Sequence, residues 1–71
     1  MYSFSVFKDF ETPNHAGARG FYQIIEIKDF DDNDITNQFD QGRFYTDDTL
    51  IKDISKKFNL PIDYVDIIEE N

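Results

Sequence analysis

Apolar and polar residues alternate at the start of the chain. In residues 2–10, Phe4 and Val6 fall at even positions with serines beside them, and Phe10 continues the same face. A period of two, with aromatic and β-branched side chains, predicts a strand. A second apolar run at residues 21–30 carries large side chains on both faces. This second pattern predicts a central strand rather than an edge strand.

The segments between the stronger patterns are polar. Residues 11–20 (ETPNHAGARG) are rich in Pro, Asn and Gly, which predicts a loop. Residues 31–42 are mostly polar, and Ile35 and Phe39 could anchor one short helical turn there. Residues 43–46 follow a glycine and form a candidate short strand.

The best-specified element is a helix over residues 47–58. Thr46 is a good N-cap, and acidic residues follow it where the helix dipole favours them. Asn59 suits the left-handed position after a helix, and Pro61 forbids continuation. A single apolar stripe runs along the predicted helix. Its members are Leu50, Ile51, Ile54 and Phe58.

The tail, residues 62–70, fits two structures. Its β-branched residues favour a strand. A helical tail would instead give a helix–turn–helix ending. With the tail as a strand, the sequence predicts one α+β domain over residues 1–71. We expect a small antiparallel or mixed sheet with one helix packed on a face, in the order β-β-(β)-α-β.

Composition narrows the class of protein. Hydrophobic residues make up 39% of the chain and aromatic residues 17%, which argues against disorder. The absence of cysteine excludes disulfides and thiolate zinc sites. No signal peptide or membrane span is visible, so we expect a cytoplasmic protein with no membrane partner. The small core leaves a homodimer open as a further source of stability.

Charge is the most informative global feature. Fifteen acids and seven bases give a net charge of −8. Residues 1–28 are neutral, with three acids and three bases, so the whole net charge lies in residues 29–71. Such a field repels nucleic acids and anionic membranes and attracts basic partners. Acidity that serves only solubility is an equally good interpretation.

The sequence offers little for catalysis or for a metal. His15 is the only histidine, and no serine lies in a nucleophile motif, so we predict a non-enzymatic protein without a cofactor. Five oxygen-bearing residues have the spacing of an EF-hand calcium loop. They are Asp29, Asp31, Asn33, Asn37 and Asp40. The sequence departs from that loop where Asp34 replaces the required glycine and where Asp40 replaces a bidentate glutamate. We therefore predict no specific metal site, although weak cation binding by residues 29–40 stays open.

Direct nucleic-acid binding is not expected. Arg19, Gly20 and Phe21 begin like the strand signature of RNA-recognition domains, but Tyr22 and Gln23 depart from it. Counterion release also requires a basic surface, and this chain is strongly acidic.

The leading hypothesis is that the acidic half recognises a protein with a basic surface, such as a nucleic-acid-handling enzyme. In composition and charge the chain resembles the small inhibitor proteins that phages and mobile elements encode, which occlude such surfaces by mimicry. The predicted contact residues are Asp29, Asp31, Asp32, Asp34, Asp40, Asp47 and Asp48. The alternative is a structural or assembly protein that binds through an apolar face or a free edge strand.

Overall fold

The computed structural model describes residues 1–70 and contains three strands and two α-helices. In chain order these are β1 (Tyr2–Asp9), α1 (Glu11–His15), β2 (Gln23–Lys28), α2 (Asp47–Phe58) and β3 (Val65–Glu70). Short 3₁₀ turns cover Thr36–Gln38 and Ile62–Tyr64. The predicted α+β class, with one main helix against a small mixed sheet, is confirmed. No helix among the described residues is both long and apolar enough to cross a membrane.

The sheet has the strand order β2-β1-β3. β1 pairs antiparallel with β2 and parallel with β3. A parallel pair requires a crossover connection, and α2 lies in the connection between β2 and β3. The prediction of a central strand at residues 21–30 is therefore wrong, because β1 is central and β2 lies at an edge.

A β-bulge explains the misleading pattern in β2. Phe7 pairs with Glu26, but Lys8 pairs with Ile24, so Ile25 is an extra residue in the ladder. The bulge lets Ile24 and Ile27 both reach the core, whereas Ile25 is 59% exposed. The bulge therefore explains why apolar residues occur at both even and odd positions of β2, although β2 is an edge strand.

The core lies between α2 and one face of the sheet. Phe4 and Val6 from β1 are fully buried, as are Leu50 and Ile54 from α2. Phe58 closes the far end of the helix, with its ring centroid 5.8 Å from that of Phe4. The apolar stripe predicted for α2 is thus the face that it buries.

The predicted ends of α2 are also confirmed. The Thr46 side chain accepts a hydrogen bond from the Thr49 amide, and the Thr49 hydroxyl accepts one from the Thr46 amide. Asn59 ends the helix in the left-handed conformation, with φ of 54°. The Leu60 amide then donates to the Ser55 carbonyl at 3.0 Å, which turns the chain towards β3.

The connecting segments differ in part from the predictions. Residues 11–20 were predicted as a loop, but they begin with α1, whose first amides donate to the Asp9 carboxylate. Residues 43–46 form no strand, since Tyr45 makes only an isolated bridge with Tyr22 before Thr46 caps α2. The short turn between Ile35 and Phe39 and the strand in the tail are both confirmed.

Candidate protein-interaction surface

Residues 29–48, here called the acidic segment, lie along the outer edge of β2. The segment runs antiparallel to β2 and contacts β2 and the adjoining Tyr22 at several separate positions. The contacts pair Asp34 with Lys28, Ile35 with Ile27, Gln41 with Ile25, and Tyr45 with Tyr22. These contacts cover the outer edge of β2 and place residues 29–34 at its Lys28 end and residues 45–48 near Tyr22.

The acidic segment carries a dense negative charge. It contains seven aspartates and one base, Arg43, which gives it a net charge of −6. Every predicted contact residue in it is exposed except Asp29, which is partly buried. Four of the aspartates fall within residues 29–34, in and beside the turn that follows Lys28. The charge of the segment is therefore concentrated at the Lys28 end of β2.

Asp29 holds the turn that follows β2. Its carboxylate accepts hydrogen bonds from the amides of Asp31 and Asn33, both at 2.9 Å, and from the Asn33 side chain. These donors, the Asn33 amide foremost, lower the pKa of Asp29. Asp29 thus fixes the shape of the turn and contributes charge to it at the same time.

Asp34 is linked to the backbone of β2 through a threonine. The Thr36 hydroxyl and amide donate to the Asp34 carboxylate at 2.6 and 2.9 Å, and the same hydroxyl accepts from the Ile27 amide at 3.0 Å. The Thr36 hydroxyl is the main cause that lowers the pKa of Asp34. Asp40 is held similarly, since its carboxylate accepts from the Gly42 amide at 2.9 Å.

Asp31 and Asp32 are both exposed in the turn. Asp32 adopts the left-handed conformation, with φ of 64°, which aspartate and asparagine tolerate best among residues with a side chain. Its carboxylate lies 3.9 Å from the Lys28 ammonium. Exposed pairs at this distance contribute little to stability, so Lys28 leaves this charge largely free to meet a partner.

Asp47 has a structural role that the sequence analysis missed. Its carboxylate accepts from the Lys8 ammonium at 3.0 Å and from the Tyr22 hydroxyl at 2.8 Å. Lys8 also reaches Glu69 at 3.2 Å, and its side chain is only 5% exposed. Asp47 thus joins α2 to β1 and β2, whereas Asp48, one residue later, is exposed in the first helical turn.

Burial and hydrogen bonds together shift the pKa values of Tyr22 and Asp47 in this network. Desolvation and the bond to Asp47 raise the pKa of Tyr22. Burial also acts to raise the pKa of Asp47, but the donors Tyr22 and Lys8 outweigh it, and the pKa is lowered. The Lys8 ammonium lies 4.6 Å from the centroid of the Tyr22 ring, a further attraction for its charge.

A sequence signal for Lys8 was available. Phe4 and Val6 mark the even positions of β1 as the buried side, and Lys8 continues that parity. A buried lysine requires an acidic partner. Its partners could not be chosen from the sequence, because Asp47 and Glu69 are 39 and 61 residues away.

The acidic segment contains an open concavity, which is lined by Asp34, Thr36, Asn37 and Gln41. Among the described residues, no group of three or more His, Asp or Glu side chains could hold a metal ion. In the window with EF-hand-like spacing, Asp29 accepts from backbone amides of its own turn.

Comparisons with known proteins return no match to a family model, to a curated protein or to a solved structure.

The lowered pKa values predict the response of stability to acid. Asp29, Asp34 and Asp47 have folded-state pKa values below the ordinary value near 3.8. Their contribution is therefore complete above that value and is lost as the pH falls through the folded pKa values. We expect the urea midpoint, followed by far-UV circular dichroism, to fall steeply below about pH 4.

Asparagine at positions 29 and 34 supplies the control for the acid response. Asn keeps an acceptor oxygen but cannot be protonated in this range. The D29N/D34N variant should therefore lose less stability than the wild type between about pH 4 and pH 2. An equal loss in both proteins would contradict the assignment of these carboxylates.

Proposed function

We propose that this protein is a non-enzymatic binding module whose acidic segment occupies the basic, nucleic-acid-binding surface of another protein. The observation that carries the proposal is a set of aspartates, Asp29, Asp31, Asp32, Asp34 and Asp40, in hydrogen-bonded turns beside the edge strand β2. A fixed charge array binds with a smaller entropy cost than a flexible acidic tail.

The charge spacing supports mimicry of nucleic acid. A DNA strand carries about one phosphate per 3.4 Å of helix axis. The acidic segment places four carboxylates within residues 29–34, so it also presents closely spaced negative charges. A groove that binds a phosphate backbone through lysine and arginine could accept these carboxylates instead. Association would be fast and sensitive to salt.

We propose fewer partner-contact residues than the seven aspartates predicted from the sequence. Asp47 is neutralised by Lys8 and serves the fold, so it is left out of the contact set. The proposed contacts are Asp31, Asp32, Asp34, Asp40 and Asp48, with Asp29 positioning the turn. By its composition, the protein would act in the cytoplasm as an inhibitor of the phage or mobile-element type.

The experiment compares two variants of equal charge. D31N/D32N/D34N removes three charges from the acidic segment, and asparagine retains the acceptor that Thr36 uses. E11Q/D53N/D63N removes three charges that lie outside both the acidic segment and β3. Both variants and the wild type are immobilised and exposed to a lysate of the source organism in about 0.1 M salt.

The expected outcome is selective. The wild type and E11Q/D53N/D63N should retain the same basic protein, and D31N/D32N/D34N should bind it at least about tenfold more weakly, a change of about 1.4 kcal/mol. Unchanged retention by D31N/D32N/D34N, with all three proteins equally folded by circular dichroism, would overturn the proposal.

Salt separates this function from the alternative of assembly by apolar docking. Exposed apolar side chains do occur near β3, where Tyr64 is 56% and Ile68 42% exposed. Binding through the acidic segment should disappear in about 1 M salt, where the screening length is about 3 Å. Binding that persists there would favour the assembly function instead.

A further inference from the structure

The two edges of the sheet differ in how they are covered. The outer edge of β2 is covered by the acidic segment, which supplies the amide of Ile35 and the side chain of Gln41 to its carbonyls. β3 forms the other edge, and within residues 1–70 it has no backbone hydrogen bond to any segment beyond β1. An uncovered edge presents unpaired amides and carbonyls, onto which another strand can add.

Every second side chain of β3 lies on the face of the sheet away from α2. Register with β1 places Asp66, Ile68 and Glu70 opposite Ser3, Ser5 and Phe7. These positions alternate with Val65 and Ile67, which pack on the core side with α2. On the face of the sheet away from α2, β3 therefore presents an acidic, an apolar and an acidic side chain in succession. Ile68, the apolar one, is 42% exposed.

Charge decides which kind of strand could add there. Residues 58–70 contain four acids and no base. A second copy of β3 would set like charges against each other, which is destabilising for directly opposed residues. A strand with the pattern base, apolar, base would instead match Asp66, Ile68 and Glu70 across the new pair.

We propose that the free edge of β3 binds an extended basic segment of another protein by strand addition. Main-chain hydrogen bonds would supply affinity, and the alternating side chains would supply specificity. This inference does not rest on the proposed function, because the acidic segment lies at the opposite edge of the sheet.

The test uses a synthetic peptide of about seven residues, similar in length to β3, that alternates lysine and valine. Its complex with the isotopically labelled full chain is followed by nuclear magnetic resonance. We expect amide shift changes concentrated at residues 65–70, with hydrogen exchange there slowed at least about tenfold. The same peptide methylated on its backbone nitrogens keeps its charge but cannot form the ladder, and it should bind at least about tenfold more weakly.

Two variants make the result specific. D66N/E70Q should weaken binding of the peptide several-fold, whereas D31N/D32N/D34N should bind it as the wild type does. Shift changes mapped to residues 29–48, or equal binding of the methylated peptide, would overturn the inference. So would shift changes at β3 on concentrating the protein alone, because these would identify a second copy as the occupant.

Discussion

Replacing Ile54 with alanine is expected to lower the free energy of unfolding by about 3 kcal/mol. Ile54 is fully buried where α2 meets the sheet, so the change removes buried methyl groups and leaves a cavity. A chain of this length has a total stability of roughly 4–10 kcal/mol. The urea midpoint, measured by circular dichroism, should therefore shift by a large part of its value.

Ile51→Ala is the matched control. It makes the same chemical change three positions earlier in α2, but Ile51 is only partly buried. Both substitutions gain the same helix propensity, so the difference between them isolates burial. We expect a loss of about 1 kcal/mol for Ile51→Ala. Equal losses for the two variants would contradict the orientation of α2 on the sheet.

Lys8→Met should lower the free energy of unfolding by about 2 kcal/mol. Methionine keeps much of the apolar stem but removes the charge that faces both Asp47 and Glu69. Both carboxylates are about half exposed, with values of 54% and 47%, so the cost is smaller than for a fully buried pair. Urea unfolding of the variant at neutral pH measures the loss.

Lys28→Met is the control for the lysine prediction. The Lys28 ammonium lies 4.0 Å from Glu26 and 3.9 Å from Asp32, and its side chain is 38% exposed. We expect a change of less than about 0.5 kcal/mol. The interaction of Lys8 should also weaken less at high salt than that of Lys28, because partly buried pairs are screened less than exposed ones. A loss no larger for Lys8→Met than for Lys28→Met would show that the network does not join α2 to the sheet.

The parts of the fold that sequence could predict are those with local signals. The stripe, the cap at Thr46 and the left-handed Asn59 all lie within or beside α2, so α2 could be bounded from its own residues. The strand in the tail followed from its β-branched residues. The parallel pairing of β3 with β1 could not be predicted, because it depends on contacts between the two ends of the chain.

The errors have specific physical causes. Because Ile25 is an extra residue in β2, the alternation of buried and exposed side chains reverses there. A simple period of two therefore assigns one part of the strand to the wrong face. Tyr45 lies beside Tyr22 in a single bridge, which propensity alone cannot distinguish from a strand. The short helix α1 is held by the carboxylate of Asp9, a cap that lies inside the preceding strand.

The acidic residues could be named from sequence, but their roles could not be separated. Composition treats Asp31, Asp34 and Asp47 alike. In the fold, Asp47 holds Lys8, Asp34 anchors a turn to β2, and Asp31 is exposed in the turn that Asp29 holds. These differences arise from neighbours distant in sequence and become visible only once the chain is folded.

Competition with DNA tests whether the acidic segment takes the place of nucleic acid. The basic protein captured by the wild type is first bound to a fluorescent DNA, and the 71-residue acidic protein is then titrated into that complex while anisotropy is recorded. We expect full displacement of the DNA, with a midpoint that increases with the DNA concentration and is at least about tenfold higher for D31N/D32N/D34N than for the wild type. A ternary complex that retains the DNA, or equal displacement by D31N/D32N/D34N, would contradict the proposed function.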